Sequence, residues 1–263
     1  MSTGDLSRLP ERFVPSATWL QSFAAGTPGV VATYLGGSLA TDRVDADSDL
    51  DGQVMVEPGR AQEVFDAMLA ALQRDWQVDG LWLVPTPTWH GGIQLFATVA
   101  RDDHPPPPLW VDLLVADAGS RWLAVDERRH GRPVVLFDPD EQVHLVPEDD
   151  EKLHAEALES ARRVAERLHT AEWLIMKAVR RGHWPEAHAY HLRLGVEPVV
   201  QLLRTIHAPA RWDFGLRYLD DLPEHEAARV LDLLPGRRDL GDQVQEAVRW
   251  QRELLAQVLD PAD

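Results

Sequence analysis

Cysteine is absent from the 263-residue chain. Disulfide scaffolds, thiol catalysis and zinc–thiolate sites are thereby excluded. Lysine is nearly absent too, with only Lys152 and Lys177 beside 24 arginines, a bias that reads as genomic and not functional. No run approaches the ~20 apolar residues that a membrane span needs, so no membrane partner is expected. The opening residues, MSTGDLSRLPERF, lack a basic segment followed by an apolar one, which leads to an expected cytoplasmic location. Positive charge is also scarce: 26 basic side chains face 43 acidic ones, a net charge of -17. A field of that sign repels phosphate backbones, which argues against nucleic-acid partners and favours small cationic ones. Hydrophobic residues at 44% and charged residues at 26% are ordinary for a soluble globular protein.

Two textures divide the chain near Val146-Pro147, giving expected domains 1–146 and 147–263. The first carries 10 basic and 21 acidic side chains, a net charge of -11, and alternates β-rich runs with polar turns. A helix is expected from Pro15 through Ala24, and strands at Val30–Leu35, Leu50–Val56, Gly80–Val84, Ile93–Val99, Trp110–Val115 and Val134–Phe137. Between the second and third strands, Val64, Met68 and Leu72 share one helical face. Prolines 105–108 cannot join a central ladder and are expected in a surface loop. The fold class is α+β, a mixed sheet with flanking helices, followed by an all-α bundle. In the second part the acidic cluster Glu148–Glu151 marks a helix start, and periodicity runs to about Arg181. A second helix to about His207 should be kinked or split by Gly195 and Pro198. Shorter helices are expected at 223–234 and 240–259.

The chemistry concentrates in Tyr34 to Val56, YLGGSLATDRVDADSDLDGQVMV. Residues two apart on a strand share a face, so Asp49 and Asp51 project together while Leu50 turns inward. Paired carboxylates repel unless a cation lies between them, and oxygen donors without His or Cys suit Mg²⁺. Gly36-Gly37 lets backbone N–H groups approach an anion, and Ser38, opening a helix, favours phosphate. Asp112 stands amid apolar residues in LWVDLLV, where an acidic side chain needs a reason: it ligates metal or takes a proton from an attacking hydroxyl. Taken singly, the GGS turn reads as a strand-to-helix connection and the DxD as a solvated acidic loop, and it is their combination that carries information.

GGS, ten residues, DLD and a later isolated Asp on a strand resemble the nucleotidyltransferase superfamily that includes polymerase β. With the appended helices, the chain looks most like the bacterial aminoglycoside and lincosamide nucleotidyltransferases. The resemblance implies an antibiotic-resistance transferase that moves a nucleoside monophosphate, AMP from ATP, onto a hydroxyl of a small cationic acceptor and releases pyrophosphate. It implies Mg²⁺, two ions, and ATP or another NTP as co-substrate. Carried over, Gly36, Gly37 and Ser38 hold the triphosphate, while Asp49, Asp51 and Asp112 are the catalytic and metal carboxylates. Gly52 departs from the family, which has an apolar residue there, and is expected to weaken strand packing.

Arg43 is a candidate phosphate contact, with solvation as the plainer reading. Trp89-His90-Gly91-Gly92 resembles a WHG segment of the same group, so His90 either touches nucleotide or acceptor or is a turn residue. Trp110 is expected in the core, with stacking on a ligand as the other reading. Trp173, Ile175, Met176 and Val179 are expected in the bundle core. Glu186, His188 and His191 fall on about one side of a helix, read as a solvated face with a substrate or metal contact as the other reading. Arg181 and His188 have the spacing of a HEPN-type ribonuclease motif, but Gly182 and Pro185 interrupt their alignment. An acceptor site between the two domains is expected, and the sequence leaves a homodimer open. The rival reading is a non-catalytic, antitoxin-like module of the same fold that acts through a protein partner.

Overall fold

The computed structural model describes residues 6–86, 88, 91–101, 108–119, 123–236 and 239–259. Two compact units divide it, Met1–Pro147 and Glu148–Asp263. Among the described residues no helix is long and apolar enough to cross a membrane.

In the first unit, α1 (Val14–Gly26) leads into β1 (Val30–Leu35), the four-residue α2 (Gly37–Ala40) and β2 (Leu50–Val56). Next come α3 (Ala61–Asp75), β3 (Gln77–Leu83), β4 (Ile93–Ala100), β5 (Leu109–Asp117) and β6 (Ala124–Val125). The unit ends with α4 (Glu127–His130), β7 (Val134–Phe137) and β8 (His144–Leu145). Six strands form one sheet in the order β3-β4-β5-β2-β1-β7. Within that sheet, among the described residues, only β2 and β5 pair in parallel, with Asp51 in register with Asp112. The other neighbours are antiparallel. This is the mixed sheet with flanking helices that the sequence pattern implied.

Strand alternation sorts the two faces. Leu50, Val54, Leu95, Ala97, Val111, Leu113 and Val115 turn to one side and bury against Leu20 of α1 and Val64, Met68 and Leu72 of α3. Asp51, Gln53 and Met55 of β2 and Trp110, Asp112 and Leu114 of β5 turn to the other. On that side, among the described residues, a small cluster packs, built on Ala32, Tyr34, Met55, Leu114, Ala116 and Val125. One face is therefore closed by helices, while the other keeps polar groups within an apolar sheet.

Three expectations need correction here. The third strand is Gln77–Leu83 and not Gly80–Val84, because it pairs with β4 from Gln77 onward as an edge strand whose side chains are mostly exposed. Gly52 does not leave the sheet loosely packed. A Cβ there would stand 2.6 Å from Leu113 Cδ2 and 2.9 Å from Leu20 Cδ2, so larger neighbours already fill its place. Trp110 is not in the core: it lies on the face opposite the helices and is 58% exposed. The proline loop falls mostly outside the described residues.

The second unit is all helix: α5 (Asp150–Arg180), α6 (Trp184–Tyr190), a π-helical segment (His191–Val196), α7 (Glu197–His207), α8 (Glu224–Leu233) and α9 (Leu240–Leu259). Asp149 caps α5, its Oδ1 accepting from the Glu151 and Lys152 backbone N–H groups. Leu153, Ala157, Ala161, Val164, Leu168, Ala171, Ile175 and Ala178 follow helical spacing into the core. The expected split of the second helix appears as α6, the π segment and α7. Gly195 permits it, since a Cβ there would lie 2.7 Å from His191 Nδ1. His191 is not part of a solvated face: it is fully buried and its Nε2–H donates to the Leu233 carbonyl at 2.8 Å. Burial holds its pKa below the usual histidine range. Trp173 is half exposed and not core, because Lys177 sits over its ring at 4.7 Å on the outer side of α5. Arg181 caps the end of α5 and Gly182 follows at φ 69°, so Arg181 and His188 share no helix.

Candidate active site

The site grows from the end of β1. Gly36 N–H donates to the Asp51 carbonyl at 2.9 Å, tying the turn to β2. Gly37 has φ 56°, and a Cβ on it would fall 1.6 Å from Asp51 Oδ2. Only glycine lets the Asp51 carboxylate lie against this turn, which places the first Asp-bearing strand and the GGS turn in direct apposition. Ser38 Oγ is buried and has no hydrogen-bond partner among the described residues. A buried hydroxyl without a partner is costly unless a ligand satisfies it.

Behind the turn, α2 is clamped. Arg132 N–H donates to the Ala40 carbonyl at 2.8 Å, and Gly131 packs so closely that a Cβ would lie 2.1 Å from that oxygen. Thr41 Oγ1 donates to the Gly37 carbonyl at 3.0 Å. Arg43 donates its backbone N–H to the Ser38 carbonyl at 3.0 Å, which brings it beside the turn. The aspartate-rich loop beyond is a built turn. Asp45 Oδ1 accepts from Asp47 N–H at 3.0 Å and Ser48 Oγ at 2.9 Å, and Arg12 donates to the Ala46 carbonyl. Those bonds hold the Asp45 carboxyl below the usual range, with Ser48 the largest cause. The loop delivers Asp49 to the start of β2 on the same side as Asp51.

Asp112 lies directly across from Asp51 on β5. Burial pushes its carboxyl up to about 6; Gln94 opposes the shift by donating to Asp112 Oδ1 at 2.7 Å, and the negative charge of Asp49 adds to it. Asp49, Asp51 and Asp112 thus share one face of the sheet. Among the described residues no three His, Cys, Asp or Glu side chains converge closely enough to form a ready-made metal cage. The donor set nevertheless suits a divalent cation, whose charge would relieve the repulsion that Asp49 and Asp112 exert on each other.

The sequence pattern did not single out Gln94, nor Gln53, whose Oε1 is also buried without a partner among the described residues on the face of Asp51. The signal for Gln94 was present: it is a polar residue inside the apolar strand IQLFATVA, the same argument that singled out Asp112. His90 and Trp89 lie outside the described residues. Beside them, Thr88 Oγ1 donates to the Gly92 carbonyl at 2.7 Å, and Gly92 sits where a Cβ would meet the Val115 carbonyl oxygen at 2.6 Å.

No family model and no curated protein matches the sequence. Among solved structures, the chain is similar to an aminoglycoside 6-adenyltransferase from Bacillus subtilis, with 10% identity, a TM-score of 0.32, and coverage of 97% of this chain and 94% of that one. It is also similar to a nucleotidyltransferase-like protein from Exiguobacterium sibiricum, with 14% identity, a TM-score of 0.34, and coverage of 93% and 77%. Likenesses of that extent carry no inference about the reaction. The geometry itself is a glycine–serine turn held against the first aspartate strand, with a third aspartate in register on the parallel neighbour.

Proposed function

We propose that the protein transfers a nucleoside monophosphate, AMP from ATP, to a hydroxyl of a small cationic acceptor such as an aminoglycoside or lincosamide. The observation that carries this reading is the contact between Gly37 and Asp51, with Ser38 Oγ buried and unsatisfied beside it. A turn of that shape offers its backbone N–H groups and the serine hydroxyl to phosphate oxygens, and Arg43, whose backbone is bonded to the turn, is the candidate to add a positive charge there.

Asp49 and Asp51 are the residues to hold magnesium, with Asp112 as a third oxygen donor or as base. When bound, the metal neutralises phosphate charge and aligns the reacting oxygens. The acceptor hydroxyl oxygen bonds to the α-phosphorus while the bond from that phosphorus to the bridging oxygen breaks, and pyrophosphate departs. The hydroxyl proton passes to the Asp112 carboxylate. An elevated pKa suits that role, because a carboxylate near 6 is ionised at neutral pH yet more basic than an ordinary one. Gln94 fixes the Asp112 carboxyl through Oδ1.

The direct experiment incubates the protein with magnesium and ATP labelled at the α-phosphate, together with aminoglycosides and lincosamides. Labelled acceptor is expected, and Asp51→Asn should remove it. Absence of calorimetric Mg-ATP binding would sink the reading and leave the antitoxin-like module, which predicts a protein partner instead.

A further inference from the structure

The row of the sheet that holds Asp51 and Asp112 continues outward into aromatic residues. Phe96 of β4 is in register with Asp112, and Trp82 of β3 is in register with Phe96. In-register neighbours point to the same face, so Trp82, Phe96, Asp112 and Asp51 form one line across four strands. Trp82 stacks on Phe96 with centroids 5.4 Å apart and planes 17° from parallel. Trp110 lies two residues before Asp112 on the same face, about 7 Å along the strand. Trp82 is 57% and Trp110 58% exposed, a large uncovered area for two indoles.

Strand order decides what this surface receives. The Gly37–Ser38 turn lies on the β1 side of the carboxylates, Phe96 and Trp82 lie on the β4–β3 side, and Trp110 lies on β5 itself, along the strand from Asp112. Displacement at phosphorus requires the attacking and leaving oxygens to be on opposite sides of it. With the leaving phosphates held at the turn, the attacking hydroxyl comes from the aromatic side. We infer that Trp82, Phe96 and Trp110 form the acceptor platform, and that the acceptor is an amine-bearing, hydroxylated ring compound. Its cationic face lies on the indoles while its hydroxyl reaches Asp112. Indole faces attract ammonium groups, and the unit's net charge of -11 favours the same sign of ligand. The inference rests on the nucleotidyl-transfer reading, since the turn must hold the phosphates for the sides to be assigned.

Fluorine NMR of the full chain labelled with 5-fluorotryptophan tests it, with the Trp82 and Trp110 signals among the ten tryptophans assigned by Trp82→Phe and Trp110→Phe. Kanamycin, streptomycin and lincomycin are added at millimolar concentration, with and without magnesium and α,β-methylene-ATP. At least one compound should move both signals, and Trp82→Ala or Trp110→Ala should weaken its binding about tenfold while nucleotide affinity stays unchanged. If no compound moves either signal, the platform is overturned. It is also overturned if the nucleotide analogue alone moves them, which makes the surface a nucleobase site. Movement on raising protein concentration, with a dimer in sedimentation, assigns the β3 edge to a second copy and likewise overturns it. Calorimetry with the analogue reports separately on the phosphate turn. Intact analogue binding with a silent platform refutes only this inference, whereas loss of analogue binding refutes the reading beneath it.

Discussion

Asp112 carries a stability cost at the residue to which the proposed reaction assigns the proton. Its carboxyl is harder to ionise in the folded chain than in the unfolded one, chiefly through burial. Between the ordinary carboxylate range and pH 6 the folded protein therefore holds the extra proton, and stability falls as pH rises through that window. Above pH 6 the cost is complete and constant. Asp112→Asn removes the charge, so in magnesium-free buffer with chelator it should be more stable than the parent at pH 7.5. The margin is about 1–2 kcal/mol after discounting for the solvent that reaches this half-buried group. At pH 4 the two proteins should unfold together. Urea titrations at both pH values check this, and a parent protein whose stability does not decline from pH 4 to 6 would contradict it. The same variant should lose transfer activity at least about a hundredfold. Gly52 makes the complementary case. Gly52→Val should destabilise by about 1–3 kcal/mol, because Leu113 and Leu20 already occupy the space that its side chain would need. A rise in melting temperature for that variant would refute the packing account.

At the scale of elements, α2 matters more than its four residues suggest, since it presents the Ser38 hydroxyl. Its far end is fixed by Gly131 and Arg132, which lie in a segment distant in sequence. Gly131→Ala places a methyl against the Ala40 carbonyl at a φ of 74°, so α2 must shift. Calorimetry should show Mg-ATP affinity reduced at least about tenfold, with only about 1–2 kcal/mol lost in stability, because the core strands are untouched. Unchanged affinity would separate α2 from nucleotide binding. None of this clamp was readable in the sequence, because it joins segments about ninety residues apart. By contrast β1, β2 and β7 were legible to the residue, since short apolar runs between turn residues leave little choice of boundary. The edge strand β3 was misplaced because one neighbour and an exposed surface impose no strict pattern on QVDGLWL. Trp110 was assigned to the core because tryptophans in apolar runs usually pack inside. Its spacing of two from Asp112 had already placed it on the polar face.

The whole molecule carries its -17 charge in both parts, -11 in the first and -6 in the second. Like charges at that density repel within the folded chain, and salt shortens their reach from about 10 Å at 0.1 M to about 3 Å at 1 M. The melting temperature should therefore rise as sodium chloride is added. The same screening weakens attraction for a cationic acceptor, so transfer to an aminoglycoside should show kcat/KM falling over the range in which stability rises. Buried contacts are screened least, so kcat should change less than KM. The opposed trends distinguish a functional acidic field from mere composition. A neutral hydroxylated acceptor feels no steering, and its kcat/KM should follow only the effect of salt on nucleotide binding, which can be removed by working at saturating Mg-ATP. If cationic and neutral acceptors respond to salt alike under those conditions, the acidity of this chain contributes solubility and not substrate choice.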